Sequence, residues 1–334
     1  MLFHKKEQGT GYGLSFGVIS VIIEIVSFSL NLRGGNRMKR LISCYPSDYK
    51  DMTPEAFKQS ILASEGRTIM GEWVVTSAPL LEGVTNAEMM AAFGADLLVL
   101  NEFDVFEKDI VGMEKMDNPI QQLKEWAGRP IGINLEPVET DAKGLEELIT
   151  LSKGRSVSKE SLEAAEKLGV DFIMLTGNPA TGVSMASIEQ SVELAKAHYN
   201  GLVFAGKMHG AGLAEDIIDV DQLTTFMEKG ADGVLIPASG TAPGVSEERA
   251  REATVAVHKL GGVVISTIGT SQESADPATI REIGLSNKRV GIDVHHIGDG
   301  SYGRMPDPEN IMQLGLTVRG KRHTYFKMAQ SLNR

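Results

Sequence analysis

Cysteine is nearly absent from this chain: Cys44 stands alone among 334 residues. A single thiol forms no internal disulfide and builds no cysteine zinc site, so the chain suits a reducing compartment and is expected in the cytoplasm. Basic charge is also in short supply, with 33 Lys and Arg against 44 Asp and Glu and a formal net charge of −11. That balance repels a phosphate backbone and disfavours nucleic acid as a partner, while leaving room for a local basic pocket that holds a small anion. Low-complexity tracts are missing, and no repeat is visible beyond a short strand-plus-helix unit.

Long apolar runs are confined to one place, residues 13–32, with Lys5 and Lys6 ahead and Glu24 in the middle. That length is enough to span a membrane, although a central acid is expensive there. The codons for Gly34-Gly35-Asn36-Arg37 can supply a purine-rich ribosome-binding sequence directly ahead of Met38. We therefore expect translation to start at Met38, with residues 1–37 a leader that is not translated; the alternative is a genuine N-terminal anchor or signal. N-terminal sequencing of the native protein separates the two. Residues 1–37 hold two more basic than acidic residues, so the remaining domain, 38–334, carries −13 and has no membrane segment of its own.

That domain contains eight short apolar runs, at 73–79, 96–103, 130–137, 171–177, 202–209, 233–239, 262–269 and 289–296. Each is rich in Val, Ile and Leu without strict alternation, as strands buried on both faces are, and helix-like stretches separate them. Eight such units predict an α/β fold, a single-domain (β/α)8 TIM barrel. Thr53-Pro54-Glu55 opens a helix to about residue 64 that should plug the lower end, with Phe57, Ile61 and Leu62 on one side. The connection after the third run, 138–169, is long; it holds amphipathic pieces at 142–151 and 159–168 and reads as an insertion that folds over the site as a lid. Ser187 to Gln190 reads as a capping box, Asp276-Pro277 starts a helix that Gly284 should stop, and Asp307-Pro308 starts a closing helix.

In this architecture chemistry sits at the C-terminal ends of the strands. Lys207 and His209 are two apart and point to one side of the fifth run. A desolvated lysine there can form a Schiff base with histidine as proton shuttle, or else pair with Glu136 or Glu102 as a structural ion. Glu102, Asp104 and Glu136 end neighbouring runs and can act as general bases or hold a divalent metal, Mg or Zn. Asp293 and one of His295 and His296 could add ligands, since only one of two adjacent side chains faces inward. Asn134 completes the polar end of the third run. Glycine-rich turns follow the last three runs: Ser239-Gly240, Gly269-Thr270, and Gly298 to Gly303 with Gly300 and then Arg304. Such loops commonly bind phosphate after strands 7 and 8, although Asp299 would repel it unless a metal or Arg304 intervenes.

The segments Gly94 to Asp104 and Pro130 to Asn134 resemble the BtpA/SgcQ-like proteins, themselves similar to phosphate-binding barrels that include ribulose-phosphate epimerases. The resemblance implies a role in carbohydrate metabolism with Glu102, Asp104 and Asn134 near the site. The long insertion and the His295-His296 end depart from it. These residues together lead us to expect an enzyme acting on a small phosphorylated carbohydrate or keto acid by proton abstraction or carbon–carbon cleavage, with Lys207, His209, Glu102, Glu136 and Asp293 as its chemistry. The alternatives are a metal-dependent hydrolase using His209, Asp293 and one of His295 or His296, and a barrel that binds a ligand without turnover. A homo-oligomer is compatible with either.

Overall fold

In the computed structural model, which describes residues 38–139, 147–269 and 271–334, eight parallel strands close into a barrel in sequence order. They are β1 (Thr68–Val74), β2 (Leu97–Asn101), β3 (Ile131–Leu135), β4 (Phe172–Leu175), β5 (Leu202–Gly206), β6 (Gly233–Pro237), β7 (Val263–Ile268) and β8 (Val294–Ile297). Ring closure is the β1–β8 ladder, in which Met70 lies opposite His296. Two short helices, α1 (Pro46–Tyr49) and α2 (Pro54–Leu62), precede the barrel, and α3 (Asn86–Ala92), α4 (Pro119–Ala127), α5 (Lys159–Leu168), α6 (Met185–His198), α7 (Val220–Glu228), α8 (Glu247–Lys259), α9 (Pro277–Val290) and α10 (Pro308–Met328) follow the strands in turn.

Inside the barrel, alternation puts Met70, Val99, Phe172, Met174, Phe204 and Val294 in one apolar cluster, closed below by Phe57 and Ile61 of α2. The Phe57 ring stands 6.4 Å from that of Phe172, which stands 5.8 Å from Phe204, so the expected plug is present. Thr53 accepts the Ala56 N–H and Pro54 takes the first helical position, which starts α2 where the sequence placed it. Two residues further along several strands, the same inward face turns polar: Glu72, Asn101, Thr176 and His296. This change of character, at constant register, makes the mouth.

Three elements differ from expectation. The first strand is Thr68–Val74 rather than 73–79, because Gly71 and Glu72 interrupt its apolar run. Gly71 leaves room for Met90 of α3, whose Sδ a Cβ would meet at 2.7 Å. The last strand begins at Val294 because α9 runs through Gly284 to Val290 and stops only at Gly291, whose φ of 100° ends the helix. Gly284 packs against Thr317 and Leu314 of α10, so its missing side chain serves helix contact, not termination. The cap of α6 is Ser184, boxed with Ser187, rather than Ser187 itself. The readings of residues 1–37 and of Thr270, and the first half of the helical piece expected at 142–151, lie outside the described residues; residues 147–151 are not helical.

Beneath the barrel, Asp96 accepts from Ile69 N–H at 2.8 Å and from Arg319 Nη1 at 2.5 Å, with Lys327 Nζ 3.6 Å away. All three side chains are buried, and burial pushes Lys327 down to about 8 against the pull of Asp96. α10 kinks at Gly320, φ 71°, which aims both cations at one carboxylate. No helix among the described residues is long and apolar enough to cross a membrane.

Candidate active site

The C-terminal ends of the strands enclose a cavity of about 310 Å³, lined by Glu72, Asn101, Asn134, Thr176, Asn178, His209, Glu273, Asp299 and Arg304 among others. Strand β1 brings Glu72 to its floor. There Glu72 accepts from His296 Nε2 at 2.5 Å and from Asn134 Nδ2 at 2.6 Å. His296 is wholly buried and Glu72 nearly so. Asn134 Oδ1, Thr176 Oγ1 and His296 Nδ1 have no hydrogen-bond partner among the described residues.

Asn101 joins this floor to the rim. Its Nδ2 donates to Asp299 Oδ2 at 2.7 Å and to Asn178 Oδ1 at 2.8 Å, while its Oδ1 accepts from Asn178 Nδ2 at 2.8 Å and from the Glu102 N–H at 2.8 Å. Asp299 is raised to about 6, first by burial and then by the charge of Glu72; the Asn101 hydrogen bond, Arg304 and His296 pull the other way. A carboxyl poised there exchanges protons readily near neutrality. His209 accepts the Ala211 N–H on Nδ1 at 3.0 Å, so a neutral ring carries its proton on Nε2. Burial and the charge of Lys207 hold it below the usual histidine range, against Glu72, and the ring is thus a neutral donor.

Several residues marked from sequence serve elsewhere. Lys207, 1% exposed, does not line the cavity: Nζ donates to Val183 O at 2.8 Å, to Gly210 O at 3.0 Å and to Glu215, which replaces Glu136 and Glu102 as its ion partner. The cause is Gly206, whose φ of 149° ends β5 and breaks the alternation assumed for 207 and 209. Burial lowers Lys207, with Glu215 opposing. Glu136 is saturated by Arg155 Nη2 at 3.0 Å, Asn178 N at 2.8 Å and Asn178 Nδ2 at 2.9 Å, and it orients the Asn178 wall from behind. Glu102 accepts from Thr76 Oγ1 at 2.8 Å outside the cavity lining.

Asp104 turns its chain, accepting from Phe106 N at 2.8 Å and Glu107 N at 3.0 Å. Burial pushes its carboxyl up, but hydrogen bonds from Ser152, Glu107, Phe106 and Gly154 hold it below the usual range. Asp293 sits ahead of β8, at the far end of that strand, accepting from Val264 N at 2.9 Å and pairing with His258 at 2.8 Å. His295 faces away from the barrel axis, with Nε2 donating to Gly66 O at 3.0 Å, and complete burial pushes it down to about 4. Asp104 and His295 are therefore not brought together, and among the described residues no group of three or more His, Cys, Asp or Glu side chains is disposed to hold a metal.

Of the glycine-rich turns, Gly269, Gly298 and Gly300 line the cavity with Arg304, while Ser239 and Gly240 do not. Gly298 N–H donates to Ile268 O at 2.8 Å, locking the last two turns together. The insertion after β3 bridges Glu136 to Ser156 and Val138 to Val183, and its described part lines no wall of the cavity; residues 140–146 of the expected lid lie outside the described residues. Glu72 and Glu273 were not marked from sequence. The signal for Glu72 was an acid between apolar neighbours in Met70-Gly71-Glu72-Trp73; Glu273 lies in a polar turn with nothing to distinguish it.

A family model described as a domain of unknown function, DUF7916, matches residues 42–334; it does not confirm the resemblance to the BtpA/SgcQ-like proteins. No curated protein matches the chain. Among solved structures, an archaeal fructose 1,6-bisphosphate aldolase is similar at 14% identity and TM-score 0.48, over 78% of this chain and 96% of that one. The YdjI aldolase of Escherichia coli K12 is similar at 14% identity and TM-score 0.43, over 81% and 94%. An oxaloacetate acetylhydrolase with bound oxalate is similar at 12% identity and TM-score 0.45, over 74% and 81%. The barrel is established by its own strand pairing, and these likenesses add no chemistry to it.

Proposed function

For a chain that belongs to the DUF7916 family, whose description names no activity, the barrel mouth is the guide, and we propose an enzyme that moves a proton on a small carbohydrate or keto acid, as an isomerase, lyase or aldolase does. One observation carries the reading: Asp299, raised to about 6, hangs by Asn101 over the buried Glu72–His296 pair in the cavity at the barrel mouth. Asp299 takes the proton from a carbon next to a carbonyl. The C–H electron pair moves into the carbon–carbon bond to give an enolate, and the enolate oxygen receives a hydrogen bond from His209 Nε2–H. Delivery of that proton from Asp299 to the adjacent carbon of an enediolate, as the neighbouring hydroxyl proton passes to the first oxygen, completes an isomerisation. Acting on a hydroxyl instead, the same base sends the O–H electrons into a new carbonyl as the neighbouring carbon–carbon bond breaks, its electron pair passing onto the second carbonyl as an enolate that the proton held by Asp299 then quenches.

Glu72 contributes charge that strengthens Asp299 as a base and fixes His296 and Asn134. The Schiff-base route through Lys207 lacks support, since its Nζ is buried and spoken for outside the cavity. The hydrolase reading lacks it too, since Asp293 lies at the far end of β8 paired with His258, and among the described residues neither His295 nor His296 joins a group of three or more side chains disposed to hold a metal. Phosphate in the β7–β8 corner is not retained in the proposal, because the Glu273 carboxylate occupies that corner.

Proton NMR in D2O tests the proposal on a panel of keto acids and hydroxy-carbonyl compounds. At least one C–H signal should fade with the wild type, and about a hundredfold more slowly with Asp299→Asn. A panel that shifts the melting point but never exchanges would make this a binding barrel.

A further inference from the structure

We infer that the corner between the turns after β7 and β8 binds a cationic nitrogen carried by the ligand, through Glu273. The inference rests on the barrel mouth being the ligand site and names the class of compound it takes. Glu273 sits on a single 3-10 turn, Gln272–Ser274, whose main chain is clamped by Asn310 Nδ2 to Glu273 O at 3.0 Å and to Ala275 O at 2.8 Å. Its side chain lines the cavity, the residue is 1% exposed, and neither carboxylate oxygen has a partner among the described residues. Gly300 stands directly against it: a Cβ there would overlap Glu273 Oε1. The carboxylate is thus held in place by its surroundings, yet nothing described answers its charge.

A buried ion without counter-charge or donors is expensive, and folded proteins tolerate one chiefly where a ligand or ordered water completes it. Arg304 is the only lysine or arginine among the described residues that lines the cavity, it is exposed, and its charge acts on Asp299. With Glu72 and Asp299 in the same cavity, carboxyl groups outnumber that cation. A hydroxyl would satisfy one lone pair and leave the charge; an ammonium supplies N–H donors and the opposite sign together. Asn134 Oδ1, an acceptor without a partner among the described residues, lines the same cavity and adds a second place for a donor-rich ligand. A divalent metal would need several converging oxygen or nitrogen ligands, which the described side chains do not supply.

Matched probes test this by calorimetry on the full-length protein: glucosamine against glucose, and ethanolamine against ethylene glycol. The amine of each pair should bind at least about tenfold tighter. Glu273→Gln should abolish that preference without lowering the melting temperature, Glu273→Asp should weaken it, and Asp299→Asn should retain it. No preference in the wild type overturns the inference, as does a preference that survives Glu273→Gln, or a Glu273-dependent response to Mg²⁺ or Mn²⁺ alone. Amine preference without C–H exchange would sink the proposed reaction and leave this inference standing. Exchange that needs Asp299 but shows no amine preference would do the reverse.

Discussion

Glu72 and His296 meet inside the barrel at 2.5 Å, carried by strands that the ring closure places side by side. Neither has appreciable contact with solvent outside the protein. The pair therefore anchors both the mouth and the seam of the sheet.

Removing Glu72 leaves the buried His296 Nε2 and Asn134 Nδ2 without their acceptor, so Glu72→Ala should cost ~1–3 kcal/mol of stability. Glu72→Gln keeps the shape and should cost less, yet slow C–H exchange by about a hundredfold by withdrawing charge from Asp299. Calorimetric melting and exchange rates on the two variants separate these effects.

Asp299 has a definite signature in pH. Its folded value is raised from 3.8 to about 6, so the folded state keeps a proton that the unfolded state has lost, and stability falls as pH rises between those values. Asp299→Asn should accordingly raise the melting temperature at pH 7 and lose that advantage below about pH 4. The rate of exchange, which needs the ionised base, should climb through about pH 6 in the wild type, and melting curves at several pH values check the sign independently.

His258 runs in the opposite direction. Its hydrogen bond to Asp293 raises it above the usual histidine range although burial opposes, so its stabilisation is complete below that range and vanishes as pH rises through the raised value. His258→Gln should be more harmful at pH 6 than at pH 9. Equal losses at both would mean the pair is held by packing alone.

Lys207 should resist borohydride in the presence of any carbonyl in the panel, as its Nζ is enclosed by Val183 O, Gly210 O and Glu215. Lys207→Met should destabilise by ~1–3 kcal/mol through the acceptors left unsatisfied. A labelled Lys207, found by peptide mass mapping, would restore the Schiff-base route.

The architecture was legible because strand count depends on a pattern repeated eight times, which tolerates local error. Individual ends did not share that protection. Glu72 was hidden for the reason it matters: a charge pointing into a barrel breaks the apolar run that identifies a strand, and the reading slid forward to Trp73. Lys207 was overvalued because period-two alternation was carried past Gly206, where the strand ends. Glu273 left no trace in pattern or spacing, since its burial comes from Gly300 and the close approach of two distant turns.

The joint between Asp96 and Arg319 ties the entry to the second strand to a helix more than two hundred residues later. A chain leaving the ribosome has therefore exposed its early strands long before the cation that neutralises Asp96 is available. The nascent barrel waits with an unanswered negative charge at its base, and final locking is postponed until the last helix emerges.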